Sequence, residues 1–273
     1  MTKILIQTES CSGCGICAGV CAYGILDVGS DGKIFVKPGT EDFCGRCGQC
    51  EAICPEGVIT VTYENAGPIP DLSGERIPTS GEMAQLIITR RSIRDYRKDM
   101  VPKETFEQIF DIIRYAPTGM NGQSVHWLVI YDPDEVAALV AKVIEWAREV
   151  IRSHPEEVLA PVLPLFVNAY EHGLDKICHS APHVVIAHSP ADNPIGFVDA
   201  MIAMTHLDLL APTFGLGTCW AGIVQGALRS SNEIQTSIGI PEGHVPHYAM
   251  MVGYPKYRYR RAPKRNIAQV TWK

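Results

Sequence analysis

Long apolar runs are missing from this sequence, and with them the usual signature of a membrane protein. No stretch of 18 residues is uninterruptedly apolar, and the best candidate, 197–214, contains Asp199, His206 and Asp208. We therefore predict that this stretch is a buried helix. The first residues, 1–6, are too short for the apolar core of a signal peptide. We expect a soluble, cytoplasmic protein without a membrane partner.

Several motifs that carry common enzyme chemistry are also missing. Beyond residue 80 the sequence has no zinc-ligand spacing, no Gly-x-Ser-x-Gly motif and no Walker loop. No helix-turn-helix or basic helix is evident, so no nucleic-acid partner is expected. The net charge of −6 is mild but unevenly distributed, because residues 243–273 include seven basic side chains and no acidic one.

Composition divides the chain into three regions. Residues 1–62 are rich in cysteine and contain no histidine, and residues 63–80 are rich in proline and glycine without an apolar period. Eight of the ten cysteines lie in the first region, which in a reducing compartment indicates metal ligands and not disulfides. We predict a small metal-binding domain over 1–62, a linker over 63–80 and a larger domain over 81–273.

The larger domain mixes helical and strand patterns without strict alternation. Thr79 and Glu82 form the pattern of a capping box at the start of a helix. The other predicted helices are 103–115, 134–152 and 197–214, with a largely helical stretch at 156–173. The predicted strands are 125–131, 183–188 and 248–252. This mixture predicts an α+β layered sandwich.

Two cysteine tracts share one spacing. The first comprises Cys11, Cys14, Cys17 and Cys21, and the second comprises Cys44, Cys47, Cys50 and Cys54. Each matches the bacterial ferredoxin run, in which three thiolates bind one [4Fe–4S] cluster and the fourth binds the other. The spacing predicts two clusters, one on Cys11, Cys14, Cys17 and Cys54 and one on Cys44, Cys47, Cys50 and Cys21. The alternative of structural zinc fits poorly, because zinc sites use paired Cys-x2-Cys units with a long spacer.

A cationic segment in the larger domain is suited to an anion. Arg90, Arg91 and Arg94 surround Ser92 just after a predicted helix, and guanidinium groups bind phosphate through paired hydrogen bonds. The acid-free segment 256–265 could supply further cations. Charge alone leaves two alternatives open: both segments could be solvated basic stretches, or the second could contact nucleic acid.

Four segments, in order, resemble the motifs of the nitroreductase family of FMN enzymes. They are Arg90-x-Ser92-x-Arg94, the loop 116–123 (Ala-Pro-Thr-Gly-Met-Asn-Gly-Gln), the segment 215–222 (Gly-Leu-Gly-Thr-Cys-Trp-Ala-Gly), and 250–255 (Met-Met-Val-Gly-Tyr-Pro) with Arg261-x-Pro263 beyond it. Each motif alone is weak, but the combination is specific. The resemblance indicates an iron–sulfur member of this family with a ferredoxin domain fused ahead of it.

The resemblance implies an FMN phosphate site built from arginines. Arg90, Ser92 and Arg261, with Arg260 beside it, would bind the phosphate. Arg94 would lie near the pyrimidine edge of the flavin, where a cation stabilises the charge of the reduced ring.

The resemblance also implies contacts around the flavin ring. Asn121 would hydrogen-bond the ring edge, and Gln123 belongs to the same flavin-binding loop. After Trp220, backbone amides around Ala221 and Gly222 would approach N5 and O4 of the ring. A homodimer with two flavins at its interface is implied as well, with the apolar helix as dimer core instead of monomer core.

Some features fall outside the resemblance. The segment 124–127 (Ser-Val-His-Trp) stands where the family usually has Gln-Pro-Trp, and residues 140–178 resemble no known motif. Isolated histidines are more often packed than catalytic, so no proton donor is assigned among His126, His172, His179 and His206. Cys178 and Cys219 are predicted to be buried small hydrophobic residues and not a redox pair.

Together these patterns predict an FMN-dependent oxidoreductase. A one-electron donor, such as a ferredoxin or flavodoxin, would reduce the clusters, and FMN would reduce a small organic acceptor such as a nitro-aromatic, a quinone or an activated alkene. A second interpretation reverses the flow, with NAD(P)H reducing FMN and the clusters carrying electrons out. A third is not enzymatic and treats the clusters as a redox or oxygen sensor.

Overall fold

The chain folds into two compact units, which a computed structural model describes over residues 3–70, 72 and 74–273. The first unit runs to Ile77 and includes Met120–Gly122, and the second comprises Pro78–Gly119 and Gln123–Lys273. Each unit has its own core and is described separately.

The structure describes most of the predicted linker. Asp71 and Ser73 lie outside the described residues, as do Met1 and Thr2 at the start of the predicted N-terminal domain. The described residues of the stretch 63–79 contain no helix or strand. Prolines and glycines in this stretch favour such an extended path.

The first unit consists of short elements in two similar halves. They are β1 (Lys3–Ile6), a 3-10 helix (Thr8–Ser10), α1 (Ile16–Gly19), β2 (Leu26–Val28), β3 (Ile34–Val36), a second 3-10 helix (Glu41–Phe43), α2 (Gln49–Ala52) and β4 (Ile59–Thr62). β1 pairs antiparallel with β4, and β2 pairs antiparallel with β3. Each half thus passes from a 3-10 helix through cysteine ligand positions into a one-turn helix.

The core of the first unit is small and includes cysteine side chains. Ile59 and Val61 alternate inward along β4, as expected for a strand with one buried face. They pack with Ile34, Cys11 and Cys17 in one buried cluster. A core this small has little apolar surface of its own, and domains of this size usually need bound metals or disulfides for stability.

The second unit is built around an antiparallel sheet of four strands in the order β5-β6-β8-β7. The strands are β5 (His126–Ile130), β6 (His183–Pro190), β7 (Gly217–Trp220) and β8 (His244–Gly253). The helices are α3 (Ser80–Thr89), α4 (Lys103–Ile113), α5 (Pro133–Ser153), α6 (Leu163–Glu171), α7 (Gly196–Leu210), α8 (Gly222–Ser230) and α9 (Asn232–Ser237).

Helices cover both faces of this sheet. Along β6, Val184 and Ile186 face a cluster formed with α5 and α8, whereas Val185 and Ala187 face a cluster formed with α4 and α7. Successive side chains of a strand point to opposite faces, so an almost wholly apolar strand is what a sheet buried on both sides requires. The predicted α+β layered sandwich is confirmed.

Several element boundaries differ from the sequence prediction. The largely helical stretch predicted at 156–173 contains a helix only from Leu163 to Glu171, because Pro155 and Pro161 interrupt the preceding turns. The pattern also gave no signal for β7, α8 or α9. β7 has only four residues, which is too short to display a period of two.

α7 is the most apolar helix and packs inside its own unit. With the 3-10 helix after it, Gly196–Phe214 is the one segment in the described part of the chain that is long and apolar enough to cross a membrane. Ala203, Met204 and Leu207 are nevertheless buried against the sheet, so α7 behaves as a core helix. The expectation that it forms dimer core instead of monomer core is wrong for this face, although Phe197 and Val198 on another face are exposed.

Candidate functional site

The first cysteine tract lies in a loop shaped by glycine. The backbone amide of Gly13 donates to Cys11 Sγ at 3.4 Å, and amide hydrogen bonds from Ile34 and Gly13 lower the pKa of the Cys11 thiol. Gly13 has φ +73°, and a Cβ there would lie 2.2 Å from the carbonyl oxygen of Gly32. A glycine is therefore required at this position. Donors aimed at sulfur favour the thiolate, which is the form that binds iron.

The second tract repeats this arrangement. Gly48 (φ +69°) precedes α2 as Gly15 (φ +71°) precedes α1, so each one-turn helix begins from a left-handed glycine. Burial raises the pKa of the Cys50 thiol to about 11. All eight thiols of the two tracts are free of disulfides, as cluster ligands must be.

The structure brings the fourth cysteine of each tract toward the other tract. Cys21 lines one cavity together with Cys44, Cys47 and Cys50. Burial raises the pKa of Cys17, and the nearby Cys54 and Cys14 thiolates raise it further. These two groupings are compatible with the crossed ligand sets, which stay a prediction. Across the described residues, no three His, Cys, Asp or Glu side chains converge as ligands of a single ion, whereas a cubane takes one thiolate per iron.

In the second unit, the arginine segment lies beside β7. Ser92 forms a parallel bridge with Thr218, and the Ile93 amide donates to the Thr218 carbonyl oxygen at 2.8 Å. This pairing places Ser92 next to the strand that ends at Trp220. Ala221 and Gly222 follow directly, and α8 begins at Gly222. Two motifs that are far apart in sequence therefore share one edge of the sheet.

The charge of this segment is only partly compensated. Arg90 Nη1 lies 3.3 Å from Asp208 Oδ2. For Arg91 and Arg94, by contrast, the described residues provide no carboxylate within 4 Å, and Arg91 Nε is buried without a hydrogen-bond partner. Buried donors in native proteins are normally paired. The segment therefore fits an anion such as the phosphate of FMN.

Asp208 was not singled out as a site residue by the sequence, but polar contacts converge on it. Thr218 Oγ1 donates to Asp208 Oδ1 at 2.5 Å, and Trp220 Nε1 donates to Oδ2 at 3.0 Å. With Arg90, three donors share a carboxylate that is 6 % exposed. Only its position in an apolar helix hinted that this charge needed partners.

The loop that carries Asn121 has an unusual backbone. Met120, Asn121 and Gln123 all have positive φ, a conformation that costs energy for residues with a Cβ. The Gly119 amide donates to Asp199 Oδ1 at 2.9 Å, and the Gln123 amide donates to Thr118 Oγ1 at 3.0 Å. Strain of this kind persists only where the surroundings impose it, and it often marks a functional loop.

Within the first unit, the Asn121 side chain is already engaged. Its Nδ2 donates to the carbonyl oxygens of Gly45, at 3.3 Å, and of Arg46, at 3.0 Å. Both carbonyls belong to residues between Cys44 and Cys47. A hydrogen bond from Asn121 to a flavin edge therefore stays a prediction.

The basic tail begins beside the arginine segment and makes few contacts of its own. Tyr96 and Pro255 form an antiparallel bridge, and Lys256 Nζ lies 3.4 Å from Asp95 Oδ1. Beyond this point the described chain is exposed and has no helix or strand. The side chains of Arg260 and Arg261 are exposed and make no ion pair with a described residue, so their predicted role is untested.

Histidines form a cluster that the sequence did not indicate. His188 Nδ1 lies 2.9 Å from His244 Nδ1, and the His126 ring lies 5.5 Å from His188 and 4.9 Å from His244 between centroids. Burial, followed by the neighbouring imidazoles, lowers the pKa of His188 to about 4. The members come from β5, β6 and β8, so sequence separation hid their proximity.

The other residues considered from sequence occupy ordinary environments. His172 and His206 hydrogen-bond carbonyl oxygens one turn earlier in their helices, and burial lowers the pKa of His179. Cys178 and Cys219 are buried, and burial raises the pKa of both thiols. They are small core residues, as predicted.

Comparisons with known proteins agree with this architecture. Residues 87–254, more than half of the 273-residue chain, match the nitroreductase family, and residues 10–59 match the 4Fe-4S dicluster domain. The chain is 26 % identical over 186 residues to an FMN reductase [NAD(P)H] of Bacillus subtilis, spanning 67 % of this chain and 70 % of that protein.

Solved structures show the same fold. A nitroreductase with bound FMN from Bacteroides fragilis matches with a TM-score of 0.55 at 20 % identity, covering 70 % of this chain and 99 % of that one. An FMN-dependent nitroreductase from Clostridium difficile matches with a TM-score of 0.53 at 19 % identity, covering 71 % of this chain and 100 % of that one.

The chain belongs to the nitroreductase family and carries a 4Fe–4S dicluster domain at its N-terminal end. The predicted family, the oxidoreductase class and the combination of FMN with [4Fe–4S] cofactors are confirmed. The acceptor and the direction of electron flow are separate questions.

Proposed function

We propose that this protein passes electrons from a one-electron donor through two [4Fe–4S] clusters to FMN, which reduces a small organic acceptor. The observation that carries the proposal is the presence of a dicluster domain and a nitroreductase domain in one chain. FMN, when bound, exchanges electrons singly or in pairs, so it can convert a one-electron supply into a two-electron reduction.

In this proposal the first unit holds both clusters. Cys11, Cys14, Cys17 and Cys54 bind one, and Cys44, Cys47, Cys50 and Cys21 bind the other. The lining of one cavity by Cys21 with the second tract supports this crossed assignment. The working domain boundaries are 1–62 for the cluster domain, 63–80 for the linker and 81–273 for the flavin domain.

The arginine segment holds the anionic end of the cofactor. Arg90 and Ser92 bind the phosphate and Arg94 lies toward the pyrimidine edge of the ring, while the exposed Arg260 and Arg261 are available to close over the phosphate. Support comes from the partner-free Nε of Arg91 and from the exposed, unpaired position of Arg94 among the described residues. A bound phosphate would supply the negative charge that the segment lacks.

By resemblance to the family motifs, we assign the ring contacts to the loop 116–123 and to the residues at the start of α8. Asn121 and Gln123 lie on the loop, and Trp220, Ala221 and Gly222 mark the junction of β7 and α8. Backbone amides here orient the ring, and a neutral organic acceptor such as a nitro-aromatic, quinone or activated alkene stacks over it. We place the enzyme in the cytoplasm as a homodimer.

The test is anaerobic stopped-flow reduction of the holoenzyme, with flavin absorbance as the readout. Reduced ferredoxin or flavodoxin is mixed with enzyme, and NADH or NADPH is mixed with a second sample. We expect fast flavin reduction by the one-electron donor and turnover when nitro-aromatic or quinone is added. If neither reduced ferredoxin nor reduced flavodoxin reduces the flavin of enzyme that contains both cofactors, the proposed direction of electron flow is contradicted.

A second candidate function is supported by the relative from Bacillus subtilis, which is named an FMN reductase [NAD(P)H]. In this alternative NAD(P)H reduces FMN and the clusters carry single electrons out to a partner. The same experiment separates the two functions. Rapid flavin reduction by NADPH followed by cluster reduction would favour the alternative.

A further inference from the structure

The turn between β2 and β3 lies directly on the first cysteine loop. The Gly29 amide donates to the Lys33 carbonyl oxygen at 2.8 Å, and the Gly32 amide donates to the Gly29 carbonyl oxygen at 2.9 Å, which closes the turn. The Gly32 carbonyl oxygen approaches Gly13 so closely that a Cβ on Gly13 would lie 2.2 Å from it. The two backbones are therefore in contact, and a side chain from the turn can reach the cysteine loop.

The side chain of Lys33 extends from the turn to the first cysteine loop. Its Nζ donates to the carbonyl oxygen of Cys11 at 2.6 Å, in a partly buried position. Its own backbone amide is held by Asp31 Oδ1 at 3.0 Å, so the turn fixes the base of the side chain as well as its tip. The Lys33 charge therefore occupies one defined place beside a cluster ligand.

The charge of Lys33 is not cancelled by an ion pair. No carboxylate of the described residues lies within 4 Å of its Nζ. Asp31 is a negative charge on the same turn, because accepting a hydrogen bond from the Lys33 backbone amide does not neutralise its carboxylate. Lys37, the other lysine of this hairpin, instead pairs with Asp27 at 3.5 Å, and its side chain is 42 % exposed. Partly buried charges are screened less by water and salt than exposed ones.

The second cysteine tract has no matching cation. Arg46 lies between Cys44 and Cys47, but its guanidinium group is turned over the Tyr63 ring, 5.8 Å from the centroid. Among the described residues, no lysine or arginine side chain hydrogen-bonds the backbone of Cys21, Cys44, Cys47 or Cys50. The two cluster sites are therefore alike in ligand spacing, and among the described residues only the first has a cation hydrogen-bonded to a ligand residue.

We propose that Lys33 raises the reduction potential of the cluster held by Cys11, Cys14, Cys17 and Cys54 and leaves the other cluster unshifted. Reduction adds one electron to a cluster, and a nearby fixed cation stabilises the more negative product. The cluster beside Lys33 is then reduced in preference, so electrons entering this unit settle there first. This inference rests on the proposed function, because it requires the two clusters assigned there.

The experiment is an anaerobic redox titration of the full-length holoprotein, followed by EPR of the reduced clusters. Wild type is compared with Lys33→Met, which removes the charge and keeps the length of the side chain, and with Lys33→Arg, which keeps the charge. Lys37→Met is the matched control, because it removes the lysine that is already paired on the same hairpin. Iron and sulfide content are measured for every sample.

In Lys33→Met we expect the cluster beside residue 33 to be harder to reduce. At a fixed applied potential its ratio of reduced to oxidised form should fall on the order of tenfold, which corresponds to ~59 mV for one electron. The second cluster and the FMN should keep their midpoints, and Lys33→Arg and Lys37→Met should resemble wild type. Equal shifts of both clusters, or no shift in a fully loaded variant, would overturn the inference. An absence of iron from wild type would instead refute the proposed function.

A second measurement covers the case in which Lys33→Met does not load its clusters. Assembled wild type and Lys33→Arg are both acetylated, which neutralises lysine and not arginine. The inference is supported if acetylation lowers the midpoint potential of one cluster in wild type and does not lower it in Lys33→Arg. Identical behaviour of the two acetylated proteins contradicts it.

Discussion

Asp208 is the residue at which the contacts of the second unit's candidate site converge. Its carboxylate accepts hydrogen bonds from Thr218 and Trp220 on β7 and pairs with Arg90 at the end of α3. The sequence places these partners in separate segments, and only the fold makes them neighbours. A buried carboxylate is stable only when such donors surround it.

Replacing Asp208 by Asn tests this role. The asparagine side chain has the same shape as the aspartate but carries no charge, and one of its two polar atoms is a donor. It therefore cannot accept from all three donors around position 208, and we expect the free energy of unfolding to fall by about 1–3 kcal/mol. Urea titration of the anaerobic protein gives the change. Asp111→Asn, on the exposed ion pair with Arg114, is the control and should change stability by less than about 0.5 kcal/mol. Equal stability of Asp208→Asn and wild type would contradict the account.

Arg94 tests the assignment of the cofactor's anionic end. Arg94→Ala should weaken FMN binding about tenfold, because it removes an uncompensated cation. Equilibrium binding to flavin-stripped protein measures this loss. Arg97→Ala is matched to it, because Arg97 is already engaged by Asp99 and by the Tyr254 ring. Equal FMN affinities for the two variants would count against the proposed place of Arg94.

At the scale of elements, the contact between the β2–β3 turn and the first cysteine loop restricts residue choice. Gly13→Ala would put a methyl group 2.2 Å from the Gly32 carbonyl oxygen at a positive φ, so we expect the protein to lose iron. Gly19→Ala, in α1 of the same unit, meets nothing within 4 Å and should load normally. Iron and sulfide analysis after anaerobic purification compares the two. Full iron content in Gly13→Ala would show that the loop tolerates the displacement.

The histidine cluster joins the ends of β5, β6 and β8 and should make the second unit acid-sensitive. The folded-state pKa of His188, about 4, lies below its usual value of 6.5, so the unfolded chain binds more protons between these pH values. Stability is therefore complete above pH ~6.5 and is lost as pH falls toward 4, by at most about 1.4 kcal/mol per pH unit for this group. Protonating both His188 and His244 would also set two donors against each other across the 2.9 Å contact.

His188→Gln should flatten this pH dependence. Denaturant midpoints of the second unit, followed by tryptophan fluorescence from pH 8 to pH 5, measure the slope for wild type and variant. His172→Gln serves as the control, because His172 is exposed and only hydrogen-bonds the Asn168 carbonyl oxygen. If stability falls with pH as steeply in His188→Gln as in wild type, the histidine cluster does not cause the acid sensitivity.

The sequence predicted local features well because their causes are local. Cys11, Cys14 and Cys17 lie within seven consecutive residues, so their spacing alone indicates a ligand loop. The Thr79–Glu82 capping box is likewise local and is present with both hydrogen bonds. What it missed depends on distant segments. The Lys33–Cys11 contact, the Asp208 network and the histidine cluster all join residues from different elements, and no spacing rule reveals such pairs.

The sequence pattern also could not predict the shortest strand or the position of the exposed C-terminal tail. β7 pairs with β8 from Gly217 to Trp220, but four residues show no period that a sequence can display. Arg260 and Arg261 matched a motif, yet the described chain leaves them exposed and away from an ion pair. A motif specifies which residues a family uses, whereas their position in one chain depends on what packs around them.

The whole molecule joins two cluster sites and a flavin site in one chain, which is what the proposed electron transfer requires. The first unit supplies thiols without disulfides, and the second supplies the nitroreductase fold with a cationic segment whose charge is only partly compensated. A chain with only one of these cofactors could not connect single-electron supply to reduction of an organic acceptor in the way proposed.

The most direct measurement is cofactor content after anaerobic purification, with iron, sulfide and FMN each quantified per chain and the absorbance spectrum recorded. The account predicts about eight irons, about eight sulfides and one FMN per chain, the content of two cubanes and one flavin site. About eight irons with no flavin, even after FMN is added, would contradict the joined electron-transfer function.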